Sequence, residues 1–335
     1  MKRPFHTLWM VFLALHLAAQ DKPVFPLFIA PDLDSNYIEL QRDLWSIRGF
    51  TSLKYHRLGV EDKVEGLKFS YLPNNLLTVG VGIAYRFWLI DLGFGVNPIK
   101  ENATESFDLQ TQVMLASRHL FQFGLQTYKG FNRRGDMPDI FRDDIRIFYT
   151  GLDYLYFLNY RQLSLRSVFR GDFRQKRSAW SPVGGAFIAG DYVQADSSLI
   201  PLHDANQAAN SVNSYVWVAG IQAGLAGSLV FMKNFLLFGN VLPGIGGEWG
   251  KVEARGENFR PKWGPVGKIN AQAALLYMHP RFYLGVTGMG HFYFPVVTPD
   301  LRYRYQVGKL KLLFGWRFRS RVELLEKANR ILEAR

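Results

Sequence analysis

From residue 43 onward, apolar and polar positions alternate along most of the chain, and a period of two predicts β-strands with one greasy face. Between Asp43 and Arg57 one parity holds Trp45, Ile47, Thr51, Leu53 and Tyr55, and the other holds Ser46, Arg48, Ser52, Lys54 and His56. Leu76 to Phe87 repeats this with Leu77, Val79, Val81, Ile83, Tyr85 and Phe87 against Thr78, Gly80, Gly82, Ala84 and Arg86. Phe107–Leu115 and Phe121–Gln126 alternate in the same way across the turn Ser117-Arg118-His119. Further strands are expected at Ile145–Leu158, Gln162–Arg170, Ser178–Ala195, Tyr215–Phe231, Phe235–Trp249, Val266–Met278, Phe282–Phe294 and Tyr303–Phe318.

The connections alternate as well. They are short near residues 118, 160, 233 and 279, and long and polar near 137, 257 and 298, as in bacterial barrels with tight periplasmic turns and larger outer loops. The expected fold is all-β: a closed antiparallel transmembrane β-barrel of about twelve strands, with fourteen possible, over residues 43–319. A direct count comes to about thirteen, and an odd number conflicts with both ends lying in the periplasm. The doubtful stretches are Val64–Phe87, which Pro73 can break in two, and Ser178–Asn213.

Outside the barrel, residues 1–19 read as a cleavable export signal, with Lys2 and Arg3 before the apolar Leu8–Leu17 and a small-residue site at Leu17-Ala18-Ala19. Residues 20–42 form an N-terminal periplasmic segment. Beyond Phe318 the period becomes helical: Leu324, Leu325, Ala328, Ile331 and Leu332 follow a Ser320-x-x-Glu323 capping box, which predicts a short amphipathic helix over 320–335. That helix docks on the barrel rim or holds a periplasmic protein partner. One stretch admits another reading: Val212–Met232 carries no charge and could cross a bilayer as a helix packed through Gly220 and Gly224.

Composition agrees with a barrel. Aromatic residues make up 15% of the 335 and glycines number 31, while mean hydropathy stays near zero, as expected where lipid-facing residues alternate with polar ones. The absence of cysteine excludes disulfides and thiolate metal sites. A net charge of +12 on an exported chain points to membrane lipid with anionic head groups, or to an anionic solute, and not to nucleic acid.

Strand parity turns a set of polar side chains toward the lumen: Arg86, Gln110, Gln112, Gln122, Gln126, Arg166, Arg170, Lys268, Gln272, Lys309, Lys311 and Arg317. Lining water, they would favour anions. Alternatively they pack the interior shut by pairing with Asp108, Glu248 and one another. Other chemistry is weaker. Gly244–Lys251 ends in Gly-Lys but has Ile245 and Val252 where a phosphate loop needs Gly and Ser or Thr. The histidines are scattered singly, so no metal or other cofactor is expected. Asp136, Asp139, Asp143 and Asp144 lack calcium-loop spacing and sit among arginines. A lipid hydrolase would have to use Ser197 or Ser198 with His203 and Asp196 or Asp204, but a structural or pore-type barrel without enzymatic activity is the favoured expectation.

Several segments resemble an uncharacterised family of Bacteroidota outer-membrane barrels known as a domain of unknown function. They are Tyr71-Leu72-Pro73-Asn74, Tyr128-Lys129-Gly130-Phe131, Pro138-Asp139-Ile140, Gly151-Leu152-x-Tyr154 with Phe157-x-Asn159, Gln175–Ala179 and Ala195–Pro201. The resemblance spans roughly residues 40 to 320. It implies a barrel in the bacterial outer membrane and brings no activity with it.

Overall fold

The computed structural model describes residues 32–40, 44–74, 77–85, 88–96, 103–136, 138–169, 171, 173–197, 199, 211–254, 257–259, 263–294 and 301–319. The expected export signal, the helix at 320–335, Arg86 and Arg170 lie outside these residues, as does the side chain of Gln110.

The first strands are β1 (Ile38–Leu40), β2 (Leu44–Asp62), β3 (Lys68–Leu72), β4 (Leu77–Tyr85), β5 (Trp88–Gly95), β6 (Glu105–Leu115), β7 (His119–Gly135) and β8 (Ile140–Phe157). After one short helix, α1 (Leu165–Phe169), come β9 (Phe173–Gln175), β10 (Ala179–Gln194), β11 (Ser211–Phe231), β12 (Phe235–Ala254) and β13 (Glu257–Phe259). The last are β14 (Gly264–Met278), β15 (Phe282–Phe294) and β16 (Leu301–Arg319).

Ten strands form a closed antiparallel ring, in the order β2, β16, β15, β14, β12, β11, β10, β8, β7, β3 and back to β2. Closure runs the full length of β2 and β16, from Leu44 opposite Arg319 to Asp62 opposite Leu301. A closed ring satisfies the backbone of every member strand internally, the condition a sheet must meet in hydrocarbon. The short connections at 116–118, 232–234 and 279–281 lie at the end shared by the start of β2 and the finish of β16. In bacterial transmembrane barrels such short turns mark the periplasmic end.

The lower half is wider. β3 and β4 together are one strand interrupted near Pro73: Tyr71 sits opposite Leu58 of β2, and Leu77 opposite Leu53. The upper piece, β3, pairs directly with β7, whereas in the lower half β5 extends β4 and β6 extends β7. The closed ring has ten strands, with β4, β5 and β6 as extra strands of the lower half, and the odd count expected from the sequence included Gln162–Arg170, which is not a strand, and left out β5. Among the described residues β5 and β6 are not hydrogen-bonded to each other.

The alternation becomes an outside and an inside. Along β11, Trp217, Ile221, Leu225 and Leu229 are exposed, while Val218, Gln222, Ala226 and Ser228 are buried. A helix over 212–232 would turn Gln222 toward lipid; the strand turns it toward the lumen, and the helical reading is overturned by β11. Trp217, Trp249, Trp263 and Phe294 on the upper side and Trp180, Phe282 and Trp316 on the lower side border the apolar band.

The strand expected at Gln162–Arg170 is the main correction. After β8 the chain enters the lumen instead of returning in the wall, and residues 165–169 form α1. Ser164 Oγ accepts the amide of Ser167 at 3.3 Å, an N-terminal cap. Leu163, Leu165 and Val168 are buried in an apolar cluster with Phe157, Phe238, Leu276 and Leu313. Leu163 and Leu165 match a strand's alternation, but burial on all sides removes the need for a polar face. The N-terminal segment joins this plug through β1 and β9, with Ile38 opposite Gln175. Tyr160 donates to Asp32 at 3.0 Å, and Arg174 Nη2 donates to Asn234 Oδ1 at 3.2 Å on the lower rim. Gly171 has φ +72°, and a Cβ there would lie 3.0 Å from the Tyr283 ring, so the segment turns where only glycine fits without strain.

Candidate functional site in the barrel lumen

The lumen has three layers. At the bottom is the apolar plug cluster. At the top is a second cluster containing Tyr71, Tyr128, Phe131, Tyr149, Phe187, Tyr293 and Tyr305, with Leu199 of the β10–β11 connection packed into it. Tyr71 donates its hydroxyl to the Leu199 carbonyl. Between the clusters runs a polar belt, built because inward parity on successive strands brings ionisable and amide side chains to one height.

One half of the belt centres on Asp153 of β8. Its Oδ1 accepts from Lys268 Nζ and, at 2.7 Å, from Gln222 Nε2; His291 Nδ1 lies 3.6 Å from Oδ2. The Lys268 ammonium is fully buried and also faces the Phe187 ring at 4.4 Å, a cation–π contact. A charge so far from water is tolerable only when paired. Alongside, three amides relay donors: Asn240 Nδ2 to Gln272 Oε1 at 3.2 Å, then Gln272 Nε2 to Gln122 Oε1 at 3.0 Å.

The other half centres on Asp91 of β5. Arg48 grips it in two places, with Nε donating to Oδ1 at 2.7 Å, and Lys311 Nζ donates to Oδ2 at 2.6 Å. Arg48 also reaches down, donating from Nη1 to the Phe169 carbonyl at 2.9 Å. The belt is thereby tied to the plug. Gly82, opposite Asp91, leaves space for this grip, since a Cβ there would lie 2.1 Å from Asp91 Oδ1. Lys54 pairs with Asp108 at 3.2 Å, and Lys309 lies among Lys54, Lys311, Asp91 and Asp108.

A cavity of about 110 Å3 lies between the two halves, bordered by Arg48, Asp91, Gln112, Gln122, Lys309 and Lys311 among others. Several waters or one small polar group fit such a volume.

Of the side chains assigned to the lumen by parity, Gln122, Gln126, Lys268, Gln272, Lys311 and Arg317 are buried inside, and Gln112 and Lys309 border the cavity. Arg166 is buried too, but in the plug, stacked at 4.2 Å over the Phe173 ring and not on a wall strand. Parity reasoning missed the acids that matter most, Asp91 and Asp153, although Asp91 is the one carboxylate of β5 and Asp153 the one charged residue of the aromatic run Ile147–Phe157. That placement was the available signal.

Outside the lumen, the acids near residue 140 are engaged. Asp144 holds Arg142 through two bonds of 2.6 and 2.7 Å, Asp139 pairs with Arg134 at 3.7 Å, and Asp136 Oδ2 accepts the Lys68 amide at 2.7 Å. No group of three or more metal-ligating side chains occurs among the described residues. Ser198, His203 and Asp204 of the hydrolase alternative fall outside them. Asp196 donates its amide to Asp144, and the Ser197 carbonyl accepts from Arg142.

A family model described as "Domain of unknown function (DUF4421)" matches residues 32–318. No curated protein matches the chain. Among solved structures, it is similar to the outer membrane protease OmpT of Escherichia coli, at 10% identity and a TM-score of 0.43, covering 84% of this chain and 98% of that one. It is similar also to OprG of Pseudomonas aeruginosa, at 11% identity and 0.25, covering 86% and 100%. A third is Ail, the attachment invasion locus protein of Yersinia pestis, at 12% and 0.23, covering 83% and 99%. By its own closed ring of antiparallel strands the chain is a β-barrel.

Proposed function

This chain belongs to the DUF4421 family, and we propose that it stands in the outer membrane as a structural barrel closed to free solute flow at rest. The observation that carries the reading is the chain between β8 and β10 whose described residues 163–169 and 173–175 fold into the lower lumen, with α1 buried and tied to the wall through Arg48. The aromatic cluster above the belt adds a second barrier. The exposed Arg57, Arg134 and Arg304 toward the outer end are suited to anionic lipid head groups. The reading calls for no catalytic group.

Planar-bilayer conductance of the folded protein, checked first by heat-modifiable gel mobility, tests it. The expected record is silent. Steady steps from the unmodified protein would overturn the reading.

A second reading, passage of small anions when the plug moves, draws support from the belt's charge. Five cations, Arg48, Lys54, Lys268, Lys309 and Lys311, face three acids, Asp91, Asp108 and Asp153. Under it, Arg48→Met should give anion-selective openings in the same bilayers.

A further inference from the structure

The amides of the belt keep hydrogen-bonding groups open, and a hollow in the wall lies beside them. We propose that the mid-lumen cavity is a binding site for a small neutral polyol, a molecule the size of glycerol, admitted from water at the lower end when the plug moves. This goes beyond the closed-barrel reading, because the site can fill in a barrel that never conducts.

Three observations converge. The first is the chemistry of the open groups. The amide relay from Asn240 through Gln272 ends at Gln122, which borders the cavity and whose Nε2 donor has no partner although the side chain is only 7% exposed. Asn240 Oδ1 and Gln222 Oε1 are buried acceptors without a donor, and Asn270, buried opposite the cavity-lining His291, leaves both a donor and an acceptor open. Turning an amide end for end exchanges donor for acceptor, so the mixture persists either way. The charges beside them are engaged: Asp153 holds Lys268, Asp108 holds Lys54, and Asp91 holds Arg48 and Lys311. An oxyanion would answer only the open donors, and a cation only the open acceptors. A hydroxyl both donates and accepts, so a polyol recovers the free energy that such buried groups forfeit when unpaired.

The second is space. Gly124 of β7 lies directly opposite Gly151 of β8, and both border the cavity. A Cβ on Gly124 would meet only Tyr149 Cε1, at 3.8 Å, so the missing side chain leaves a hollow next to Gln122. The cavity of about 110 Å3 is of the scale that takes one small molecule, since an apolar cavity of about 150 Å3 holds benzene. The third is closure. Val168 and Phe169 of α1 border the cavity on the plug side, and Tyr149 of the upper aromatic cluster borders it on the other. Arg48, on the same border, donates to the Phe169 carbonyl. The element that closes the lower lumen is therefore also the floor of the cavity, and its displacement opens the site to water while the wall stays intact.

The test is binding of radiolabelled glycerol to the full-length protein in nanodiscs, read by saturation-transfer difference NMR for fast exchange and by retention through rapid gel filtration for slow exchange. Ethylene glycol, acetate and ammonium serve as competitors. The expected result is a single saturable glycerol site from which ethylene glycol displaces the label and neither ion does at equal concentration. Gln122→Leu removes the open donor and should weaken binding by about fivefold to tenfold. Gly124→Ala puts a methyl group into the hollow at ordinary contact distance and leaves every polar group in place; it should weaken binding by a similar factor and keeps the test open if Gln122→Leu folds poorly. Arg48→Met, which loosens the plug, should speed glycerol exchange. Absence of saturable binding by both readouts, or binding unchanged in both Gln122→Leu and Gly124→Ala, overturns the proposal. Displacement by acetate or ammonium as effective as by ethylene glycol overturns the neutral ligand, and exchange no faster in Arg48→Met overturns entry past the plug.

Discussion

Replacing Asp153 with Asn keeps the shape of the side chain and removes its charge, leaving Lys268 as a cation with no exposed surface. Breaking a buried pair from one side costs about 3–5 kcal/mol, because the remaining charge keeps its desolvation penalty without its partner. The Phe187 ring at 4.4 Å from Lys268 Nζ offsets part of this, a contact worth up to about 2 kcal/mol when desolvated, so Asp153→Asn should fall near 3 kcal/mol. Lys268→Met should cost less, about 2 kcal/mol, because Asp153 keeps the Gln222 donor at 2.7 Å and a hydrogen bond to a charged group is worth about 1.5–3 kcal/mol. The double variant Asp153→Leu with Lys268→Met removes both charges and should recover most of the loss, as buried pairs replaced by apolar groups commonly do. Urea-dependent folding into phospholipid vesicles, followed by tryptophan fluorescence and gel mobility, measures all three. A cost under about 1 kcal/mol for Asp153→Asn, or a double variant no better than the singles, would refute the claim that this pair is a buried, mutually dependent charge couple.

Arg48→Met removes both the grip on Asp91 and the bond to the Phe169 carbonyl; limited proteolysis from the periplasmic side should then nick the 158–178 segment faster while the barrel still shifts on a gel. Gly171→Ala forces a side chain into φ +72° against Tyr283 and Arg317 and should destabilise the fold by about 1–3 kcal/mol, measured in the same urea titration. Ile221→Arg, at a lipid-facing position 66% exposed, should cost about 2–4 kcal/mol in bilayers, whereas the same change measured in detergent micelles should cost clearly less.

Much of this was legible because a strand's period of two is a local property. Ser46, Arg48, Ser52 and His56 of β2 and Thr78, Gly80, Gly82 and Ala84 of β4 all face inward as their parity requires. Trp217, Ile221, Leu225 and Leu229 face outward for the same reason. The short turns near 118, 233 and 279 were readable too, since tight connections advertise themselves by length. Residues 162–170 misled because a segment buried on every side has no polar face to reveal its period; Leu163, Leu165 and Phe169 suit a strand or a plug equally well. The ion pairs were hidden for another reason. Asp153 lies 115 residues from Lys268, and Asp91 lies 220 from Lys311.

The chain's alternation by itself determined that it is a barrel, which faces meet lipid, and which polar side chains turn inward, because each follows from neighbours one or two residues apart. Only the tertiary structure decided that the lower lumen is plugged, that Asp91 and Asp153 organise its charges, and that β5 and β6 are not paired among the described residues. Those depend on how strands distant in sequence come into register when the sheet closes on itself, and no local pattern encodes that closure.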